Sequence, residues 1–157
     1  KKPVAAHHHI ILGLQGLQKK ATEEETLMAS KMSKSDSKSC IYMHESYEEI
    51  KKKINSAYCP EKREEGNPLL EYCKYIIFKE LKSMKIQRSA KFGGDVEYGN
   101  YQELWDDYIK GKLHPADLKN GVADALEKLI KPAREYFEKN KQAKELYEKV
   151  KRFTITR

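Results

Sequence analysis

The sequence predicts a mostly α-helical chain with one short β element, preceded by a strand-like segment of different character. Three observations lead there. Ser46-Tyr47-Glu48-Glu49 is a capping box, with Ser46 as N-cap and Glu49 at the third helical position. Asn67-Pro68 and His114-Pro115-Ala116-Asp117 open two further apolar-periodic stretches. Val4 to Leu12, in contrast, is apolar apart from His7-His8-His9 and runs into Gly13 and Gly16. That is the pattern of a buried parallel strand leading into a glycine-punctuated loop.

Taken in order, residues 15–39 read as a charged loop, and Ile41-Tyr42-Met43 as a short strand or turn. The helix that Ser46 opens places Ile50, Ile54 and Ala57 on one face and ends before Pro60. Behind Asn67-Pro68, the buried stripe is Leu69, Tyr72, Cys73, Ile76 and Ile77, which makes Cys73 an ordinary core thiol. Lys85 to Tyr98 reads as a hairpin or two short extended segments around the turn Phe92-Gly93-Gly94-Asp95. Tyr101 to Ile109 forms a third helix, with Trp105 expected as a core anchor.

The longest helix carries Leu118, Val122, Leu126, Leu129 and Phe137 toward a bundle core. Gly121 inside it costs up to about 1 kcal/mol relative to alanine, which implies close packing at that point. Pro132 predicts a kink or break near Leu129. Residues 139–152 read as a solvated amphipathic helix of mixed charge, and no internal repeat is present.

A length of 157 residues fits one domain, or a piece of one with a small second domain. The net charge of +7 and a pI near 9.1 favour an anionic partner, nucleic acid first, although the same charge also serves plain solubility. Cys40, Cys59 and Cys73 have no CxxC spacing, and their odd number argues against a disulfide framework, so a reducing, cytoplasmic setting is expected. No apolar run approaches transmembrane length, and no membrane partner is expected. The first residue is not a methionine, which gives the chain the look of a piece of a longer polypeptide. The three histidines fail as a metal site because strand neighbours point to opposite faces, and one or two rings lining a cleft is the expectation.

Two constellations carry chemistry. Lys31-Met32-Ser33-Lys34-Ser35 alternates lysines and serines around a methionine. Ammonium charges neutralise phosphate oxygens, and hydroxyls with backbone N–H groups complete a triphosphate cradle. In adenylate-forming chemistry a carboxylate attacks the α-phosphate of ATP, and such cations stabilise the leaving pyrophosphate. A mobile loop suits that task because it can close and then release product. The second constellation is Phe92, His114 and Asp117. An aromatic ring can stack on an unpaired base, and a carboxylate can accept from the N1–H and N2–H₂ groups of guanine. Residue by residue, the same spacing also fits an Asp cap, a turn histidine and a core phenylalanine.

These motifs resemble the C-terminal half of tyrosyl-tRNA synthetases of the archaeal/eukaryotic type, over nearly the whole chain. The KMSKS pentapeptide is shared by class I synthetases in general. The segments Ala57-Tyr58-Cys59-Pro60, Glu65-Gly66-Asn67-Pro68, Lys91-Phe92-Gly93-Gly94-Asp95 and Leu113-His114-Pro115-Ala116-Asp117-Leu118-Lys119-Asn120 separate the tyrosyl branch from the tryptophanyl one. The resemblance implies the end of a class I Rossmann-type catalytic domain over 1–40, followed by a helical anticodon-binding domain with a short β element over 41–157. It assigns Lys31, Met32, Ser33, Lys34 and Ser35 to ATP, with Lys31 and Lys34 catalytic and Lys34 the key cation. It assigns Phe92 and His114 to packing on the first anticodon base, a guanine, and Asp117 to hydrogen-bonding it, with Cys59 a further anticodon neighbour.

The substrates implied are ATP with Mg2+, tyrosine and tRNA-Tyr, in an enzyme expected to dimerise. Asp36-Ser37 departs from the Asp-Pro common after this motif. The His-Ile-Gly-His-type motif, the tyrosine pocket and the dimer-forming insertion would all lie upstream of Lys1, so the chain alone is expected to be inactive. A tRNA-binding fragment or split subunit without chemistry of its own, and a tryptophanyl identity, are the competing readings.

Overall fold

The computed structural model describes Val4, residues 9–33 and residues 35–153. Helix α1, Glu23–Ser30, starts at Thr22, whose hydroxyl accepts from the Glu25 N–H while the Glu25 carboxylate accepts from the Thr22 N–H. The stretch expected as loop therefore holds a helix. Its first-turn glutamates, Glu23, Glu24 and Glu25, face the positive end of the helix dipole. The expected parallel strand falls partly on residues 5–8, including His7 and His8, which lie outside the described residues. In the described part, Leu12 pairs with Lys31 in an isolated antiparallel bridge.

Helix α2, Tyr47–Ser56, has the expected capping box between Ser46 and Glu49, and Ile50 and Ile54 are buried. Helix α3, Pro68–Tyr72, is capped by Asn67 through its side-chain oxygen and the Leu69 N–H. It runs on through a π-turn at Cys73–Ile77 into the short α4, Phe78–Glu80. Burial drives the Cys73 thiol far above its ordinary pKa, so it is the inert core thiol expected. The hairpin is β1, Met84–Ile86, antiparallel to β2, Val96–Tyr98, in the register Met84 to Tyr98 and Ile86 to Val96. Helices α5, Tyr101–Ile109, α6, Pro115–Lys139, and α7, Lys141–Lys151, complete the chain. Among the described residues no helix is long and apolar enough to cross a membrane.

One core gathers the inner faces of these elements, with Ile50, Leu69, Ile77, Ile86, Leu104, Tyr108, Leu118 and Val122 all essentially inaccessible. Helix α6 is its spine and packs on α2, α3 and β1. Three expectations about this core are corrected. Trp105 is not a core anchor: its indole N–H donates to the Glu64 carboxylate at 2.7 Å, while Leu104 and Tyr108 take the buried positions. Phe137 lies beyond the core with 39% exposure, and the buried stripe ends at Ile130. Helix α6 runs unbroken past Pro132, so of the expected kink or break the break is ruled out. The proline sits on the exposed face, where water can take the carbonyl that loses its partner.

Gly121 fixes how closely α6 approaches the hairpin. A Cβ there would lie 2.7 Å from Ile86 Cγ1 and 2.9 Å from Met84 Cε. Both neighbours are buried and cannot swing away. Gly121→Ala therefore forces α6 off β1 despite alanine's better helix propensity. We expect a net destabilisation of about 1–3 kcal/mol, read as a lowered denaturant midpoint with an unchanged slope. A stabilised variant would show that the contact is not close.

Candidate functional site

The pentapeptide begins where α1 ends. The Lys31 N–H closes on the Leu27 carbonyl at 3.2 Å, and the bridge to Leu12 ties the loop root to the segment before Gly13. The following residues fold around one buried side chain, Ser39. Its hydroxyl accepts from the Ser33 N–H at 2.9 Å and shares its proton between the Ser33 and Asp36 carbonyls, at 3.0 and 2.7 Å. The Ser39 carbonyl in turn accepts from the Leu14 N–H at 2.9 Å.

Ser33 and Ser35 are hydrogen-bonded to each other through their hydroxyls at 2.8 Å, and that pair is solvent-exposed. Lys34 lies outside the described residues. Met32 turns inward, and its sulfur accepts from the Tyr72 hydroxyl at 3.6 Å. The pentapeptide thus separates by chemistry. Its methionine is seated on the helical part, while its serines face solvent as hydroxyl donors.

The second constellation comes together. Phe92, His114 and Asp117 line a single cavity of about 550 Å³, with Gly111, Lys112 and Ala116. Phe92 ends a 3-10 turn, Ala90–Phe92, after which Gly93 and Gly94 adopt φ of 92° and 71°. Those left-handed conformations suit residues without a Cβ, and they turn the chain back into β2 while leaving Phe92 68% exposed. Phe92 is therefore not a core residue. His114, not Asp117, is the N-cap of α6, and its Nδ1 accepts from the Ala116 N–H at 3.1 Å. With Nδ1 accepting, the proton of the neutral ring sits on Nε2 and the ring orientation is fixed. Asp117 stands in the first turn of α6, half-buried, where the helix dipole favours its negative charge.

Cys59 does not line this cavity. Its sulfur is paired with the Tyr108 hydroxyl at 3.2 Å, and Asn67 Nδ2 donates toward it at 3.7 Å. Burial raises the Cys59 thiol above its usual pKa despite these hydrogen bonds. Lys112 is a wall residue that motif reading passed over. Its place immediately before Leu113-His114-Pro115 was the available signal. Mg2+, expected beside ATP, finds no dedicated donor set, since no group of three or more His, Cys, Asp or Glu side chains among the described residues can hold a metal ion.

Residues 23–131 match the model of the tRNA synthetases class I (W and Y). The chain is 47% identical over 156 residues to the tyrosine–tRNA ligase of Thermococcus kodakarensis, covering 96% of this chain and 42% of that protein. It is 46% identical to the tyrosyl-tRNA synthetase of Pyrococcus horikoshii, solved in complex with L-tyrosine, with a TM-score of 0.78 over 89% of this chain and 39% of that one. The Aeropyrum pernix tyrosyl-tRNA synthetase superposes with a TM-score of 0.75 at 38% identity, over 96% of this chain and 40% of that one. The chain thus spans about two fifths of the length of the relatives it matches.

Ser39→Ala removes the acceptor of the Ser33 N–H and the donor to two carbonyls. Leaving such groups unpaired costs about 1–3 kcal/mol. Amide exchange at Ser33 should accelerate while the amides of the α6 core keep their rates. Unchanged exchange at Ser33 would mean that Ser39 does not organise the loop.

Proposed function

Because the chain belongs to the class I tRNA synthetases of the W and Y family, we propose that it is the part of a tyrosine–tRNA ligase that joins the ATP loop to the reading of the anticodon. Residues 1–40 are then the end of the catalytic domain, and 41–157 the anticodon-binding domain. In the full reaction the tyrosine carboxylate attacks the α-phosphate of ATP, pyrophosphate leaves, and the tyrosyl group passes to tRNA-Tyr. Lys31 and Lys34 stabilise the charge that builds on the leaving pyrophosphate, and the exposed Ser33 and Ser35 hydroxyls add donors. Mg2+ would enter with ATP and share that neutralisation.

The observation that carries the anticodon half is the cavity shared by Phe92, His114 and Asp117. A splayed base entering it meets the exposed Phe92 face, the fixed His114 ring and a carboxylate at its Watson–Crick edge. Guanine offers that carboxylate two N–H donors. Adenine offers a ring nitrogen lone pair at the same place and no 2-amino group, so it leaves the carboxylate unpaired. Stacking supplies about 1–3 kcal/mol regardless of base, and the paired hydrogen bonds supply the choice, about 1–3 kcal/mol on the scale of bidentate base contacts. The tyrosyl rather than the tryptophanyl reading is supported by the likeness to the tyrosine–tRNA ligase of Thermococcus kodakarensis.

Two variants separate reading from holding. Asp117→Ala should lose binding to an anticodon hairpin with guanine at its first position by roughly tenfold or more, and bind the adenine hairpin nearly as before. Lys112→Ala should weaken both hairpins alike and flatten the dependence on log salt by roughly 0.7 if Lys112 meets one phosphate. Equal losses for the two hairpins in Asp117→Ala would remove the guanine assignment. In ATP–pyrophosphate exchange the chain by itself should give no tyrosine-dependent signal. Measurable exchange would overturn the division of labour proposed here.

A further inference from the structure

Resting on the reading of the cavity as a guanine site, we propose that Arg88 is a positioning residue that sets the spacing between its aromatic walls. The two walls come from separate loops. Phe92 stands on the hairpin turn, and His114 follows the loop between α5 and α6. The half-buried Arg88 spans the gap between these loops. Its Nε donates to the Gly94 carbonyl at 2.9 Å, two residues beyond Phe92, and its Nη1 donates to the Lys112 carbonyl at 3.1 Å, two residues before His114. Its own N–H is held by the Asp95 carboxylate at 3.1 Å, so the base of the side chain is pinned as well.

The rest of the surroundings make this bracket consequential. On the far side, the Lys112 and Leu113 N–H groups converge on the Asp107 carbonyl at 2.8 and 3.2 Å, and the Asp107 carboxylate accepts from the Tyr98 hydroxyl on β2 at 3.3 Å. The α5–α6 loop is therefore fixed to α5 and, through Tyr98, to the root of the hairpin. The Phe92 turn is tied mainly to itself, through Phe92 and Gly94 N–H groups that both reach the Ser89 carbonyl. With two left-handed glycines behind it, that turn can tilt as a unit. Arg88 holds it against the His114 loop. A planar guanidinium can aim two N–H groups at two fixed carbonyls, whereas a lysine ammonium delivers the same charge from a flexible stem without that fixed fork.

The test uses the whole chain and two RNA hairpins that differ only in guanine or adenine at the first anticodon position. Arg88→Ala and Arg88→Lys should each cost both hairpins about tenfold, since the ring that Arg88 positions stacks on either base, with the salt dependence preserved in Arg88→Lys. Arg88→Ala should add little on top of Phe92→Ala, because the bracket acts through that ring. In the RNA-free chain, amide exchange at Phe92 and Gly94 should rise in Arg88→Ala. Full affinity for both hairpins in Arg88→Lys, with a flattened salt dependence in Arg88→Ala, would make Arg88 a charge that attracts phosphate and overturn the proposal. Unchanged exchange at Phe92 and Gly94 would overturn the bracket whatever the RNA does. If the unaltered chain binds both hairpins equally, the guanine reading fails, and the exchange result alone judges the bracket.

Discussion

The approach of α6 to the hairpin at Gly121 is the contact on which the rest of the structure depends. A glycine in the middle of a 25-residue helix lowers its propensity, and what it gains is a helix backbone seated against Ile86 and Met84 with no side chain between. That distance decides where the first turn of α6 stands relative to β1 and β2. Asp117 lies one turn upstream of Gly121, and the Phe92 turn joins the two strands. A carboxylate and an aromatic ring from segments remote in sequence reach one cavity because the helix carrying the first lies close on the strands carrying the second.

The two functional elements are built differently. The cavity proposed to take a base is assembled from a capped helix start, an imidazole oriented by its Nδ1 hydrogen bond and a glycine turn that Arg88 ties to the α5–α6 loop. Reading a base by hydrogen bonds requires this, since a carboxylate displaced by an ångström no longer meets both donors. The KMSKS stretch is held at Lys31, at Met32 and at Ser33. Its root is bound to Leu12 and its far end to Ser39, while Ser33 and Ser35 bond to each other in solvent. A pair of mutually satisfied hydroxyls can exchange that bond for phosphate oxygens at little cost, which fits the pyrophosphate role proposed for this loop.

What was legible in the sequence follows from how local each signal is. The caps at Ser46, Asn67 and His114 satisfy N–H groups within two or three residues, so three helix starts could be read directly. The hairpin and the close packing at Gly121 were legible for the same reason. Helix α1 was missed because it has no apolar stripe: Glu23, Glu24 and Glu25 begin it, and of its residues only Ser30 is buried. Thr22 and Glu25 form the same capping box as Ser46 and Glu49, so the signal was present, masked by composition. Trp105 and Phe137 show the opposite limit. Size and helical phase suit both to a core, but burial depends on which face α6 and α3 leave open, and no single stretch of sequence states that. Phe92, His114 and Asp117 stood out by residue type and were assigned through family resemblance, whereas their spacing alone favoured a cap, a turn and a core ring.

Met32 connects the two elements. The side chain at the centre of the KMSKS motif leaves its loop to meet Tyr72, and Tyr72, Leu126 and Ile130 line one apolar groove with it. Leu126 and Ile130 lie on the same helix that carries Gly121 and Asp117. The KMSKS loop and the cavity of Phe92, His114 and Asp117 therefore share α6 as a common wall. Packed in this way, a rigid α6 holds both in register but transmits no signal, since coupling requires an element with two arrangements. Ser33 and Asp36 are tied to Ser39 by hydrogen bonds, whereas Met32 is seated in apolar packing.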